Sequence, residues 1–189
     1  GHPRINEAAK KAVDKFGTGT NGVRLLAGTL TLHKELEETI ANFKHAEAAV
    51  TYSSGYVTNL TVISGLMGRG DYVFSDKLNH ASIVDGCLMS GAEFRRFRHN
   101  DMEHLAGLLK NAPADVAKMV VADSVFSMDG DIINLPKVLE LTKKYNAWLM
   151  IDEAHSVGVL GKTGTGIEEH FGLGDVIDIK MGTLSKTIP

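Results

Sequence analysis

Short apolar runs alternate with helical patterns along most of this chain, and that alternation restricts its fold more than any other feature. Helical patterns at residues 3–15 and 32–45 come first, and four more follow between the later runs. Candidate strands, most of them apolar, lie at residues 49–52, 72–74, 93–97, 119–122, 148–151 and 176–181. The later helical patterns lie at residues 56–67, 81–89, 102–110 and 135–145. This order predicts an α/β fold with a mostly parallel sheet and helices on both faces.

Composition excludes several functional classes. A net charge of -3 over 189 residues gives no electrostatic reason to expect nucleic-acid binding or attraction to an anionic membrane. Cys87 is the single cysteine, so an internal disulfide is excluded and a reducing compartment is favoured. No apolar run approaches the roughly 20 residues of a membrane span, and the first residues lack the apolar core of a signal peptide. We therefore expect a cytoplasmic protein.

Several short motifs match known patterns in the wrong context. Residues 17–22, GTGTNG, match the dinucleotide fingerprint, but a helix rather than a strand precedes them. Residues 152–155 spell DEAH, yet the phosphate loop that helicases also need is missing. Residues 59–61 form a glycosylation sequon, which matters only in a secreted protein. The histidines form no compact metal-ligand pattern, so we predict no metal site.

Polar residues follow the two most apolar strands at the point where each strand ends. Asp152 comes directly after strand 148–151, His155 follows three residues later, and Lys186 follows strand 176–181. Ligands of open α/β sheets bind beyond the carboxyl ends of the strands. Taken singly, Asp152 is as well explained by a helix cap or an arginine pair, and Lys186 by a solvated loop. Together they indicate one functional edge.

Other strand ends deliver polar groups to the same edge. Strand 49–52 leads through Ser54 and Gly55 into a helix, whose first N–H groups would bind an anion. Strand 72–74 leads to His80, where a lone histidine more often caps a helix than takes part in catalysis. Strand 119–122 leads into a segment that contains Ser127. The number of polar strand ends, rather than any one residue, predicts a ligand site.

These residues resemble the α-oxoamine synthases, a branch of the fold-type I pyridoxal-phosphate (PLP) enzymes. That group includes 8-amino-7-oxononanoate synthase, 2-amino-3-ketobutyrate CoA ligase, 5-aminolevulinate synthase and serine palmitoyltransferase. The matching segments are GVRLLAGTLTLHKELE (22–37), SSGYVTNLTVI (53–63), SDKLNHASIVDG (75–86), FRHND (97–101), VFSMDGDI (125–132), WLMIDEAHSVGVLG (148–161) and GTLSK (182–186). They run through nearly the whole chain in one consistent order.

The resemblance implies a role for each catalytic residue. Lys186 would form the Schiff base with PLP, and Asp152 would pair with the pyridine nitrogen so that the ring acts as an electron sink. His155 would bind the phenolic oxygen, with Ser127 nearby. His80 would stack on the ring face.

The resemblance also implies how the phosphate would be held. The start of the helix after residue 53, comprising Ser54, Gly55 and Tyr56, would supply backbone groups. Thr183 would supply a hydroxyl. We expect residues 1–189 to be part of a PLP-binding large domain whose C-terminal small domain lies outside this chain, and we expect this part alone to be inactive.

The reaction that the resemblance implies is a decarboxylating condensation of an amino acid with an acyl-CoA, or an acyl carrier thioester, to an α-aminoketone. Oxononanoate synthase and aminoketobutyrate ligase are the favoured models, and the partner would be a second copy in a homodimer. Three alternatives stay open. They are an aminotransferase or aldolase of the same fold, a serine palmitoyltransferase-like member, and a non-catalytic scaffold, which would not need Lys186, Asp152 and His155.

Overall fold

The computed structural model describes residues 1–187 of the chain. The helices are α1 (Pro3–Phe16), α2 (Thr31–Phe43), α3 (Gly55–Leu66), α4 (Ala81–Ser90), α5 (Met102–Asn111), α6 (Leu135–Tyr145) and α7 (Ile167–His170). The strands are β1 (Tyr72–Asp76), β2 (Glu93–Phe97), β3 (Lys118–Asp123), β4 (Trp148–Asp152) and β5 (Ile179–Met181). The chain forms two compact units, with the boundary after residue 51. None of the helices within residues 1–187 has the length and apolar character needed to cross a membrane.

The first unit contains α1, α2 and a partly buried ion pair, which lies where the sequence predicts a strand. Arg24 binds Glu37 through two N–O contacts of 2.5 and 3.0 Å, and this pairing lowers the pKa of Glu37 to about 2. Thr51 donates both its backbone N–H and its hydroxyl to the same carboxylate, at 2.8 and 2.9 Å. The predicted strand at residues 49–52 is therefore wrong, because these donors bind Glu37 instead of a neighbouring strand.

The second unit is built on a five-stranded sheet in the order β2-β1-β3-β4-β5. Each neighbouring pair is parallel, so the predicted parallel α/β fold is confirmed. Asp123 at the end of β3 lies opposite Asp152 at the end of β4. Since all strands run the same way, their carboxyl ends share one edge, and residues that follow different strands meet there.

Successive residues of the central strands point to opposite faces of the sheet, and each face has its own core. One core combines alternate strand residues with α5 and α6; its members include Phe74, Val120, Leu149, Leu105, Leu109, Leu135 and Val138. The other combines the intervening residues with α3 and α4; its members include Val73, Met119, Val121, Met150, Ile63, Ile83 and Cys87. Helices cover both faces, as the near-continuous apolar strands predict.

The last strand is shorter than its apolar pattern predicts. The run at residues 176–181 becomes a strand only from Ile179. The backbone N–H groups of Val176 and Ile177 donate to the carboxylate of Glu168, at 2.8 and 3.0 Å, before the strand begins. Glu168 lies in the four-residue helix α7, which the sequence pattern does not predict.

Candidate active site

A cavity of about 190 Å³ lies at the carboxyl edge of the sheet, beside the first turns of α3 and α4. Eight of the nine residues predicted for the site line it: Gly55, Tyr56, His80, Ser127, Asp152, His155, Thr183 and Lys186. Ser54 is the ninth. Its hydroxyl accepts a hydrogen bond from Val57 N at 3.2 Å, so it caps α3 rather than lining the cavity. Four separate strand ends thus contribute to one concave surface.

Lys186 and His155 are in direct contact. Lys186 Nζ lies 2.8 Å from His155 Nε2. Burial lowers the pKa of His155, and the positive charge of Lys186 lowers it further, while Asp152 opposes both effects. A neutral imidazole can accept a hydrogen bond from an ammonium group. The lysine that resembles the Schiff-base lysine is therefore held by a second predicted site residue.

Asp152 is a buried carboxylate, 5% exposed, at the end of β4. Its Oδ1 accepts a hydrogen bond from Ala154 N at 2.9 Å, and its Oδ2 accepts one from Asn59 Nδ2 at 2.7 Å. The second donor comes from a different element, α3. These bonds compensate in part for the cost of burying the carboxylate, and they leave it lining the cavity.

Asp123 places a second carboxylate beside Asp152. It is 5% exposed and also lines the cavity. Burial raises the pKa of Asp123 to about 7, and the neighbouring charge of Asp152 adds to the effect. Asp123 Oδ2 accepts the backbone N–H of His80 at 3.1 Å. Asp123 therefore anchors the start of α4, which carries His80.

His80 is the N-cap of α4, so its helix-capping role and its position at the cavity coexist. Its Nδ1 lies 3.3 Å from the backbone N–H of Ser82 and 2.7 Å from the Ser82 hydroxyl. The ring of Tyr56 approaches it edge-on, with 6.5 Å between ring centroids. Ser82 thus holds the imidazole of His80 at Nδ1, while His80 itself remains exposed.

The N-terminus of α3 approaches the end of β5 closely at Gly55. A Cβ at that position would lie 2.9 Å from Met181 Cε and 3.7 Å from Thr183 Cβ, so glycine gives the helix start its room. Thr183 Oγ1 lies 2.8 Å from Ser185 Oγ. Thr183 and Ser185 thus line the same cavity as the start of α3, and the N-terminus of a helix is a favourable place for an anion.

The Tyr56 side chain has its own partner. Its hydroxyl donates to the carboxylate of Asp85 in a short hydrogen bond, and this bond is the main reason that the pKa of Tyr56 is raised. Tyr56 also lines the cavity, and its ring lies edge-on to that of His80.

Sequence reasoning missed Asn59 and Ser82 as site residues. Both line the cavity, and both are buried, at 1% and 0% exposed. Asn59 was noted only as part of a glycosylation sequon, but its buried side chain is inaccessible to that modification in the folded protein. The usable signal was a polar residue on an otherwise apolar helical face.

Metal binding finds no support in the part of the chain that the structure describes. Residues 1–187 contain no group of three or more histidine, cysteine or acidic side chains arranged to hold an ion.

Comparison with known proteins identifies the family. The sequence model of the family described as "Aminotransferase class I and II" matches residues 1–188. The chain is 50% identical over 187 residues to an 8-amino-7-oxononanoate synthase of Geobacter sulfurreducens, covering 99% of this chain and 48% of that protein. It is 47% identical over 186 residues to a serine palmitoyltransferase of Sphingobacterium spiritivorum, covering 98% and 47%. The chain thus spans about half the length of the curated relatives that it matches.

Solved structures agree with the sequence matches. A serine palmitoyltransferase of S. paucimobilis with a bound PLP–myriocin aldimine superposes with a TM-score of 0.95 at 44% identity, covering 98% of this chain and 48% of that one. An 8-amino-7-oxononanoate synthase of Francisella tularensis superposes with a TM-score of 0.79 at 30% identity, covering 98% and 51%. Another serine palmitoyltransferase structure contains PLP as an internal aldimine.

Proposed function

The chain belongs to the class I and II aminotransferase family, in its α-oxoamine synthase group, and on this premise we propose that it forms the cofactor-binding part of a PLP-dependent acyltransferase. The reaction would join an amino acid to an acyl-CoA or acyl carrier thioester, with loss of carbon dioxide, to give an α-aminoketone. The observation that carries the proposal is that Lys186, in contact with His155, lines the same cavity as the buried carboxylate of Asp152.

The cavity fits PLP at three points. Lys186 offers an amine for the aldehyde, and Asp152 offers a buried carboxylate for the ring nitrogen. The start of α3 at Gly55, with the hydroxyl of Thr183, offers donors for the phosphate. In addition, Asn59 Oδ1 is a buried acceptor without a hydrogen-bond partner among the described residues. When bound, PLP supplies an electron sink for the carbanion at the substrate's α-carbon.

The residues of the chain would divide the remaining work. Lys186 would remove the α-proton of the amino acid, because an amine beside a cofactor pocket can act as a base. His155 contacts the amine of Lys186 and would orient it. Asp152 would keep the ring nitrogen protonated. Ser127 and His155 would bind the phenolic oxygen, and His80 would cover the ring face.

The bonds made and broken balance without an oxidant or reductant. The α-carbon of the amino acid attacks the thioester carbonyl, and the thiol leaves. The carboxylate then leaves as carbon dioxide, and a proton takes its place. A product of this kind keeps the amino acid's α-carbon and side chain. 8-Amino-7-oxononanoate therefore corresponds to alanine and a seven-carbon dicarboxylic acyl thioester, and this is the pair that we propose for the present protein.

A thiol-release assay on the full-length protein tests the proposal. With PLP bound, alanine and the seven-carbon acyl-CoA should release CoA and give the nine-carbon aminoketone by mass spectrometry. Lys186→Ala should abolish both, and Lys162→Ala, which changes an exposed lysine outside the cavity, should leave them intact. Turnover with serine and palmitoyl-CoA alone would favour the serine palmitoyltransferase-like alternative. Conversion of PLP to its pyridoxamine form without thioester consumption would instead show an aminotransferase.

We also propose a homodimer and a cytoplasmic location. Leu25 and Leu26 lie side by side in the first unit, 98% and 86% exposed, and adjacent exposed leucines are typical of a surface covered by a partner. Light scattering after size exclusion should give twice the chain mass for the full-length protein. A monomer at micromolar concentration would contradict the dimer.

A further inference from the structure

A chain of three hydrogen bonds connects Asp152 to His80 through two buried side chains. Asn59 Nδ2 donates to Asp152 Oδ2 at 2.7 Å and to Ser82 Oγ at 2.9 Å. Ser82 Oγ lies 2.7 Å from His80 Nδ1. Asn59 and Ser82 are 1% and 0% exposed, so water does not compete for the two bonds that Asn59 donates. These hydrogen bonds join Asp152, the proposed partner of the ring nitrogen, to His80, the residue proposed to cover the ring.

The direction of each bond follows from the first acceptor. The carboxylate of Asp152 only accepts hydrogen bonds when ionised, so Asn59 must turn its NH₂ group towards it. The second hydrogen of that NH₂ points at Ser82 Oγ. The hydroxyl of Ser82 thus already accepts a bond, and its own hydrogen is available for His80 Nδ1.

Two donors therefore face the same ring nitrogen. They are the hydroxyl of Ser82 at 2.7 Å and its backbone N–H at 3.3 Å. A proton on Nδ1 would oppose that backbone N–H, and the Ser82 hydroxyl hydrogen would lose its acceptor among the described contacts. Since the tautomer of a histidine is set by the bond that one ring nitrogen makes, Nδ1 is the acceptor and the proton belongs on Nε2.

We propose that Asn59 and Ser82 are positioning residues that lock His80 in its Nε2–H tautomer and make that tautomer depend on Asp152. The Nε2–H of His80 would then be the donor that remains for a ligand of the cavity that His80 lines. That ligand rests on the proposed function, whereas the tautomer depends only on groups of this protein.

Replacement of Asp152 tests the proposal because it should reverse the direction of the hydrogen bonds that Asn59 makes. In Asp152→Asn, the side-chain oxygen is needed by Ala154 N, so the new NH₂ faces Asn59. The Asn59 amide would rotate so that its oxygen, rather than its NH₂, faces the new NH₂ group and Ser82. The Ser82 hydroxyl would then lose the donor from Asn59 and could turn to it instead of to His80. A substitution two side chains away should therefore move the ring proton of His80.

Solid-state NMR of the full-length protein, labelled with ¹⁵N-histidine and free of cofactor, measures the tautomer directly. The His80 signals are assigned by their loss in His80→Asn. In alkaline buffer, the wild type should show an unprotonated Nδ1 and a protonated Nε2, in at least about tenfold excess over the other form. Ser82→Ala and Asp152→Asn should each reduce that excess at least about threefold.

Ser90→Ala is the matched control. Ser90 lies at the other end of α4, where its hydroxyl donates to Cys87 O. This variant should leave the tautomer unchanged. A wild-type Nδ1–H form, or the same ratio in Ser82→Ala and Asp152→Asn as in the wild type, would overturn the proposal, as would an equal effect of Ser90→Ala. Should Ser82→Ala not fold, the wild-type spectrum and Asp152→Asn still decide.

A kinetic measurement separates this proposal from the proposed function. In an active enzyme, Ser82→Ala should lower kcat about tenfold, the effect of one lost hydrogen bond, while the Kd for PLP stays unchanged. If no thioester is ever consumed, the proposed function fails and the NMR result still stands. If thioester is consumed but the tautomer is Nδ1–H, only the positioning role fails.

Discussion

Asp123→Asn should stabilise the cofactor-free protein, and by an amount that depends on pH. Burial, reinforced by Asp152, raises the pKa of Asp123 to about 7 from its ordinary 3.8. The unfolded chain ionises this group near its ordinary value, whereas the folded protein keeps it protonated until about pH 7. The folded protein therefore binds more protons between these two values, and its stability falls as pH rises through that interval.

The size of the effect follows from the two pKa values. Each pH unit of the interval costs about 1.4 kcal/mol of unfolding free energy, so the full loss approaches about 4 kcal/mol above pH 7. An asparagine mimics the neutral acid, and its oxygen can still accept the backbone N–H of His80, as Asp123 Oδ2 does at 3.1 Å. The advantage of the variant should grow by roughly 2 to 3 kcal/mol between about pH 5 and about pH 8.

Urea unfolding of the two full-length proteins without cofactor at these two pH values measures the difference. The matched control is Asp129→Asn, which changes an exposed acid in the loop after β3 and should show no such growth. A stability difference that stays constant with pH would contradict a raised pKa of Asp123. So would a variant that becomes less stable than the wild type in alkaline buffer.

Two further perturbations test the phosphate end of the cavity and a half-buried histidine. Gly55→Ala should leave the fold intact, because only the terminal methyl of Met181 must move, but should weaken PLP binding about tenfold by absorbance titration; unchanged affinity would show that the start of α3 does not hold the phosphate. His99 bonds to Asp76 and Asp131 at 3.0 and 2.8 Å; burial lowers its pKa, but these carboxylates raise it by more. Its stabilising effect is present in full below its ordinary 6.5 and is lost as pH rises through the raised pKa, so His99→Asn should lower Tm more at about pH 6 than at about pH 9, and an equal loss at both would contradict the assignment.

Most of the sheet could be predicted from local pattern alone. Strands β2 and β4 were located to within a residue. The run of β4 is short and continuously apolar with a clear end, as is typical of a buried parallel strand, whereas β2 lies at the edge of the sheet and has the mixed sequence EFRRF. The segments at 49–52 and 176–178 failed for one shared reason. In each, a glutamate from a helix accepts backbone N–H groups of the segment: Glu37 binds that of Thr51, and Glu168 binds those of Val176 and Ile177.

Some residues of the candidate site could be predicted from the sequence, and others could not. Asp152 is the last residue of β4, and His155 and Lys186 lie in the segments that follow β4 and β5, so the topology alone brings them to one edge. Asn59 and Ser82 lie on helices, and their importance comes from which partner each one meets in space. No local pattern records that Asn59 meets a residue 93 positions further along the chain. Buried polar residues on apolar helix faces are the signal to examine in such sequences.

Borohydride reduction of the full-length protein incubated with PLP, followed by peptide mass mapping, shows directly whether Lys186 holds the cofactor. We expect one phosphopyridoxyl adduct, confined to Lys186, and its loss in Lys186→Ala. An unmodified protein, or an adduct on another lysine such as Lys180, would contradict the claim that this cavity holds PLP through Lys186.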